Sequence, residues 1–365
     1  MRLLPVLAFA LLAAGCGQGL TWEGDASGGG TDDAGAPVVD LQWPAGSDLA
    51  GRDLWHSNPD LAAPPHVTTS VQVYVEPNDG LQPVLDAIKG AHGTLHIEMY
   101  LLTDHTVISA LGSARSRGVD VKVILDHNPM GGGLSNDGAY SQLKSSGVAV
   151  AWSNPGFTFT HAKSMVIDGK TLWAMTMNLS SSAVQGNREY LCVDTDPGDV
   201  AEAEAVFQAD WGGAHSAASR LVVSPDNSAT RLTTLINGAT KEIDIEWEEF
   251  SDNSIGSAVQ QRIKAGVKVR IVVPSEIKTE NPPPATLGLM TALQNGGAQV
   301  RTLDTPTVHA KLILVDRTHG FIGSENGTSN SLHSNRELGV MWENGTVAGR
   351  VGTAFDGDFA NGSPL

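Results

Sequence analysis

The chain has 365 residues, of which 41% are hydrophobic and 17% charged, and it carries a net charge of −17 at pH 7. That length exceeds one average domain and suits two, each burying its own core. The negative balance argues against a protein that wraps nucleic acid, although it leaves room for a local basic cleft, and two cysteines exclude a disulfide framework.

Residues 1–15 read as an export signal. Arg2 supplies positive charge, and the apolar run Leu3 to Ala14 is too short for a membrane span of ~20 residues. The run ends in Leu12-Ala13-Ala14-Gly15-Cys16, which resembles the lipobox of bacterial lipoproteins. The resemblance implies lipidation of Cys16 and a lipoprotein of the cell envelope, periplasmic or anchored at the outer membrane. Ordinary cleavage, with Cys16 unmodified and the protein secreted, is the alternative. Cys192, in the strand-like Glu189-Tyr190-Leu191-Cys192-Val193, then reads as a small buried apolar residue. Residues 16–66 are rich in Gly, Asp, Ala and Pro without hydrophobic period, and are expected to be a flexible, disordered tether.

From residue 67 the chain repeats once at a separation of 148. Pro77 matches Pro225, Ala91 matches Ala239, Gly118-Val119 matches Gly266-Val267, and Phe207 with Asp210 matches Phe355 with Asp358. A periodic match of this length signals a duplicated unit, so two domains are expected, 67–215 and 216–365. In the first half, Leu81–Ala91 reads as a helix, Leu95–Leu101 as a strand, Thr106–Ser116 as a second helix and Val119–Leu125 as a buried strand. The second half repeats this order in Arg231–Ala239, Glu242–Trp247, Ser257–Ala265 and Val267–Val273. Helix–strand alternation predicts α/β domains whose sheets are covered by helices.

Inside the repeat lie His161-Ala162-Lys163 with Asp168, and His309-Ala310-Lys311 with Asp316, both of the form H-x-K-x4-D. In each copy an Asn follows the His by 17 positions (Asn178, Asn326) and a Glu by 28 (Glu189, Glu337), and both copies end in Asn-Arg-Glu. In a strand, positions i and i+2 face one side, so each His and Lys project together. Such pairs are expensive to bury without an anion or carboxylate. Two imidazoles and two ammonium groups converging from two similar halves suit a phosphate. Pairing of each Lys with its nearby Asp, with each His capping a loop, is the plainer alternative.

The paired motifs, with G-S-x-N and N-x-E after them, resemble those of the phospholipase D superfamily over residues 70 to 362. The resemblance implies two duplicated phospholipase D-like domains, each a mixed β-sheet flanked by helices, related by a pseudo-twofold axis. It implies a phospholipase D-like phosphodiesterase, a hydrolase with possible phosphatidyltransferase activity, working through a phosphohistidine intermediate without a metal or other cofactor. His161 is then the nucleophile and His309 the acid/base, an order the sequence leaves open. Lys163, Lys311, Asn178 and Asn326 would meet the non-bridging oxygens, Thr176 and Ser324 would contact substrate, and Glu189 and Glu337 would each orient an imidazole. Asp168 and Asp316 read as structural, turning the chain after the strand. The first copy departs from G-S-x-N with Met175-Thr176-Met177-Asn178, where Met175 is expected to narrow the cleft.

Outside the motifs, the glycines 131–133 read as a flexible loop and Asn281 to Pro284 as its stiff counterpart. His96, His105, His127, His319 and His333 lack metal-ligand spacing, with His127 the best placed to line the cleft. Tyr100 and Trp247 are expected near the cleft mouth, as substrate contacts or core. The substrate expected is a phospholipid, met at a membrane by a monomer with no nucleic-acid partner. A nuclease of the same superfamily and a non-catalytic phosphate-binding envelope protein are the rivals.

Overall fold

The computed structural model describes residues 65–129, 135–214, 216–279 and 284–365. The export signal, the tether up to residue 64, Cys16, the glycines 131–133 and residues 281–283 lie outside the described residues. In the first half the elements are β1 (Val71–Glu76), α1 (Gln82–Gly90), β2 (Thr94–Met99), α2 (His105–Ser116), β3 (Asp120–Leu125), α3 (Asp137–Ser145) and β4 (Ala149–Trp152). Then come β5 (Lys163–Ile167), β6 (Thr171–Met175), α4 (Ser181–Gly186), β7 (Asn187–Asp194) and α5 (Pro197–Trp211). The second half runs β8 (Val222–Ser224), α6 (Ser228–Asn237), β9 (Glu242–Trp247), α7 (Asn253–Lys264), β10 (Lys268–Pro274), α8 (Ala285–Gly296), β11 (Gln299–Leu303) and β12 (Thr307–Val308). It closes with β13 (Lys311–Val315), β14 (His319–Gly323), α9 (Ser329–His333), β15 (Glu337–Glu343), α10 (Gly345–Asn361) and β16 (Ser363–Pro364).

Local sequence explains where the helices begin, and it does so twice. Asp104 accepts from the Thr106 and Val107 amides at the start of α2, and Asp252 does the same for Ser254 and Ile255 at α7. Ser180 and Thr328 cap α4 and α9, while Asp196 and Asn344 cap α5 and α10. Short side-chain oxygens of this kind satisfy amides that no helical carbonyl can reach. The duplication therefore copied the capping positions, even where the capping residue changed.

The two sheets repeat as well. The first has the order β1-β7-β6-β5-β2-β3-β4, and the second β8-β15-β14-β13-β9-β10-β11-β16. In each, a parallel trio (β2, β3, β4; β9, β10, β11) is joined to antiparallel strands, so both sheets are mixed. Alternation along the strands sorts side chains between layers. Met165 and Ile167 face an outer core under α1, α2 and α3, with Val84, Leu111 and Leu143. Ile313 and Val315 face its counterpart with Leu235, Val259 and Leu293. Val166, Leu312 and Leu314 point into a central core between the sheets, which also takes Val200 of α5 and Phe355 of α10. The central layer binds the halves into one body, because each sheet uses its inner face on it.

Backbone also crosses between the halves. Strand β12 pairs in parallel with β7, Thr307 opposite Asn187 and Val308 opposite Arg188. Thr160 bridges Arg336 in the equivalent place. Each crossing lies just before a His of the repeated motif, which places both histidines at the seam. Among the described residues no helix is long and apolar enough to cross a membrane.

Candidate active site

The two histidines enter the site one step ahead of their strands. β5 begins at Lys163 and β13 at Lys311, so the expectation that each His and Lys share a strand face is corrected. His161 instead donates its amide to the Arg336 carbonyl at 2.8 Å, and His309 donates to the Arg188 carbonyl at 3.3 Å. Each lysine is wholly buried and folds back, its ammonium 2.7 Å from the carbonyl of its own histidine.

The carboxylates cross over. His161 Nδ1 meets Glu337 at 2.9 Å, and His309 Nδ1 meets Glu189 at 2.8 Å, each Glu coming from the other half. Both glutamates are fully buried and held from behind. Asn187 and Thr176 donate to Glu189 at 3.2 and 2.5 Å, and Asn335 and Ser331 donate to Glu337 at 3.1 and 2.7 Å. A fixed carboxylate on Nδ1 sets the tautomer and leaves Nε2 toward the cleft.

The remaining residue of each Asn-Arg-Glu crosses too. Arg188 of β7 makes a two-pronged ion pair with Asp358 of α10, and Arg336, just before β15, reaches Asp210 of α5 at 3.0 Å. The repeated Phe-x-x-Asp ending thus supplies the partner for the other half's arginine. Behind these pairs sit two further buried acids. Burial and the nearby Asp210 push Glu98 well up, and burial with Asp358 pushes Glu246 up to about 8. Tyr190 donates its hydroxyl to Glu246 at 2.7 Å, a bond Glu98 lacks because Leu338 stands at the equivalent position.

The two sides of the cleft differ in electrostatics. Burial lowers His161 to about 4 against the pull of Glu337, and burial lowers Lys163 to about 7, with Lys311 contributing repulsion. Tyr100 explains the dryness there, since its ring lies 4.4 Å from the His161 ring and 4.9 Å from the Lys163 ammonium. At the equivalent position the second half carries Glu248. Its Oε2 lies 2.6 Å from Lys311 Nζ, 3.3 Å from Asn326 Nδ2 and 3.5 Å from His309 Nε2. Burial opposes its charge, but His309 and Lys311 hold Glu248 well below the usual carboxylate range. The same carboxylate also feels His161, so charges from both halves bear on one small volume.

Other sequence expectations are placed as follows. Thr176 and Ser324 are wholly buried and engaged with protein groups behind the site. Thr176 supports Glu189 and Ser324 receives the Leu338 amide at 3.0 Å, which corrects their assignment as substrate contacts. Met175 is also wholly buried, in the outer core under α1 to α3, so it does not narrow the cleft. Its counterpart must be Gly323, where an added Cβ would lie 2.5 Å from the Gly339 Cα and 2.4 Å from Glu325. Asn178 and Asn326 each keep a buried Oδ1 without a hydrogen-bond partner.

Asp168 and Asp316 take positive φ values of 54° and 50°, and collect the amides of residues 92 to 94 and 240 to 242. They pin the turn at the strand end opposite the lysines. Trp247 is core, its indole donating to the Glu325 carbonyl. His96 is bonded to Glu204 at 2.8 Å, and His127 packs on Trp152. Among the described residues His66, Asp196 and Asp199 have metal-ligand spacing. Arg220 already reaches all three within 3.0 Å, so a cation is in place there.

Glu248 and the crossed pairing were not foreseen. The repeat offset applied to Tyr100 points to Glu248, and the acidic run Glu246-Trp247-Glu248-Glu249 marks the same strand end. The crossing leaves no trace in spacing, because it depends on which half each β7-like strand faces.

A fold of two mixed sheets joined at a seam of crossed His–Glu pairs defines a phospholipase D-like enzyme. The family described as cardiolipin synthase, PLD-like domain, matches residues 84–211 and again 232–359, and the chain belongs to the phospholipase D superfamily. It is similar to a cardiolipin synthase of Staphylococcus aureus, 23% identical over 345 residues, covering 81% of this chain and 68% of that one. It is also similar to cardiolipin synthase A of Pseudomonas aeruginosa, 29% identical over 167 residues, covering 43% and 34%. Among solved structures, phosphatidylserine synthase of Haemophilus influenzae shares the fold with a TM-score of 0.65 at 12% identity, covering 82% of this chain and 88% of that one. Polyphosphate kinase of Porphyromonas gingivalis does so with a TM-score of 0.60 at 17% identity, covering 78% of this chain and half of that one.

Proposed function

We propose that this enzyme cleaves or transfers the phosphatidyl group of phospholipids through a phosphohistidine on His161, with His309 as acid and base. The observation that carries this reading is the crossed pair of imidazoles with unequal surroundings. His161 is dry and neutral, with Nδ1–H given to Glu337, so its Nε2 lone pair is available for attack on phosphorus. His309 has Glu189 at Nδ1 and Glu248 at Nε2, so both ring nitrogens face hydrogen-bond acceptors, as suits a group that passes a proton to and from the substrate.

In the first step the His161 Nε2–P bond forms, the P–O bond to the head group breaks, and His309 gives its proton to the departing alcohol. In the second, water or another alcohol loses a proton to His309 and attacks phosphorus, and the P–N bond breaks to restore His161. Lys163, Lys311, Asn178 and Asn326 surround the non-bridging oxygens, supplying positive charge and donors where the transition state gains charge. The names of the similar synthases agree with a phosphatidyl group as the part transferred. Lipidation of Cys16 would hold the cleft near its substrate, consistent with the export-like first residues.

The test is head-group release from phosphatidylcholine and phosphatidylglycerol, with DNA as a control substrate, by the wild type, His161→Ala and His309→Ala. Lipid turnover lost in both variants supports the reading. Cleavage of DNA without lipid turnover would transfer the assignment to a nuclease, and no turnover of either to a phosphate-binding protein.

A further inference from the structure

Glu248 has no part in the steps above, yet it touches three residues that do. Its Oε2 lies 2.6 Å from Lys311 Nζ, 3.3 Å from Asn326 Nδ2 and 3.5 Å from His309 Nε2. Lys311 and Asn326 are donors assigned to a non-bridging oxygen, and His309 Nε2 is the atom that must reach the departing alcohol. A phosphoryl oxygen would accept from the same ammonium and the same amide. One carboxylate oxygen therefore stands among the groups meant for another anion.

The contact is suited to exchange. The Glu248 amide donates to the Ala310 carbonyl at 3.0 Å, so its backbone is fixed and displacement falls to the side chain. That side chain is 29% exposed and borders a cavity of about 420 Å³ beside His309, which gives a displaced carboxylate somewhere to go. Lys311 is wholly buried, with its ammonium 2.7 Å from the His309 carbonyl, so it stays in place. A buried ammonium is costly without an anion, and Glu248 meets that need whenever phosphate does not. Although burial opposes its charge, His309 and Lys311 hold Glu248 well below the usual carboxylate range, so it competes as an anion at neutral pH. In the first half the position belongs to Tyr100, whose ring faces the Lys163 ammonium at 4.9 Å.

We propose that Glu248 is an internal competitor of the substrate phosphate, holding a phosphoryl-oxygen position until phosphate displaces it and reclaiming it as product leaves. The inference rests on the assignment of Lys311 and Asn326 as phosphate donors. It weakens binding of substrate and product alike, and keeps the product anion from being trapped on two buried ammonium groups.

The experiment titrates inorganic phosphate into the full-length protein by calorimetry, at neutral pH and fixed ionic strength. Glu248→Gln keeps an acceptor for Lys311 but not the charge, and should bind phosphate about tenfold more tightly than the wild type. A merely structural role predicts the opposite, since a damaged site does not gain affinity. Glu276→Gln removes a charge from the same cavity without touching Lys311, and should change affinity by less than about twofold. Lys311→Met in the Glu248→Gln background should abolish the gain. Equal affinity in the wild type and Glu248→Gln, or an equal gain in Glu276→Gln, overturns the proposal and leaves the phosphate site intact. A gain that survives Lys311→Met overturns the proposal too. Binding by neither the wild type nor Glu248→Gln overturns the competitor and the phosphate site together. Should Glu248→Gln fail to fold, Glu248→Asp decides, because it keeps the charge but withdraws it by one methylene. A gain of about threefold is expected there, and unchanged affinity overturns the proposal.

Discussion

The two walls of the cleft descend from one repeated unit and differ where chemistry demands it. Around His161 the neighbours are aromatic and apolar, with Tyr100 against the ring and Met175 and Met177 buried beneath. Around His309 the corresponding positions hold Glu248, Gly323 and Glu325. The glycines 323 and 339 make room for Glu325, which lies buried with both oxygens unpartnered. Burial, then the charge of Glu337, pushes that acid well up. A dry wall keeps one imidazole neutral, and the other wall sets an ionised carboxylate against the second imidazole. The lesson is that a symmetric fold becomes a directional catalyst through a few unmatched residues at matched positions.

The comparison is broken most directly by the histidines themselves. Both His161→Ala and His309→Ala should lose turnover of a phospholipid, the second by about 10²- to 10⁴-fold as expected for loss of a general acid. On a nitrophenyl phosphodiester, whose leaving group needs no proton, His309→Ala should recover a burst of nitrophenol while His161→Ala should not. A burst in His161→Ala instead would reverse the two walls.

Next in size is the seam. Arg336→Met leaves Asp210 buried without its cation beside Glu98, and should lower unfolding free energy by about 3–5 kcal/mol. Arg188→Met should cost less, because the Tyr190 hydroxyl still serves Glu246. Urea titrations of both variants would show equal losses if that hydroxyl plays no part.

The pH profile sharpens the dry wall. For the free enzyme kcat/KM should rise through about pH 4 as His161 loses its proton, and fall through about pH 7 as Lys163 loses its own. Lys163→Arg should move the alkaline limb upward without moving the acid one. A profile of the variant that overlays the wild type would remove Lys163 from that role.

The smallest effect concerns Glu325. Its folded-state value lies above the ordinary 4.5, so its contribution is present below pH 4.5 and is lost as pH rises toward the folded value. Glu325→Met should therefore gain stability on the wild type as pH rises above 4.5. Parallel melting curves across that range would contradict it.

Much of the fold was legible because duplication wrote each signal twice. The strand read at Glu242–Trp247 has the observed bounds, and the helix read at Thr106–Ser116 begins one residue earlier, at His105, behind its Asp104 cap. α7 begins at Asn253, four residues before the Ser257 that its pattern suggests, because its first turn is polar and follows the Asp252 cap. β12 could not be seen, since two residues carry no period and the strand exists only through its partner in the other half. His161, His309 and Lys311 all bear on the one carboxylate of Glu248. Thr176 and Ser324 were misplaced because a hydroxyl near a phosphate site looks the same in sequence whether it faces the ligand or the carboxylate behind it.

The crossed contacts carry a consequence for how such a chain can change. Each half lends the other a glutamate for its imidazole and an aspartate for its arginine, so neither is a self-sufficient module. A lone half would expose the Leu312, Leu314 and Phe355 layer and hold a histidine with no tautomer-setting acid. Two such halves from separate genes could complement one another only by rebuilding the whole seam. Inherited variation on one side of the seam must therefore be answered on the other, about 148 positions away, which binds the two copies to a shared evolutionary fate.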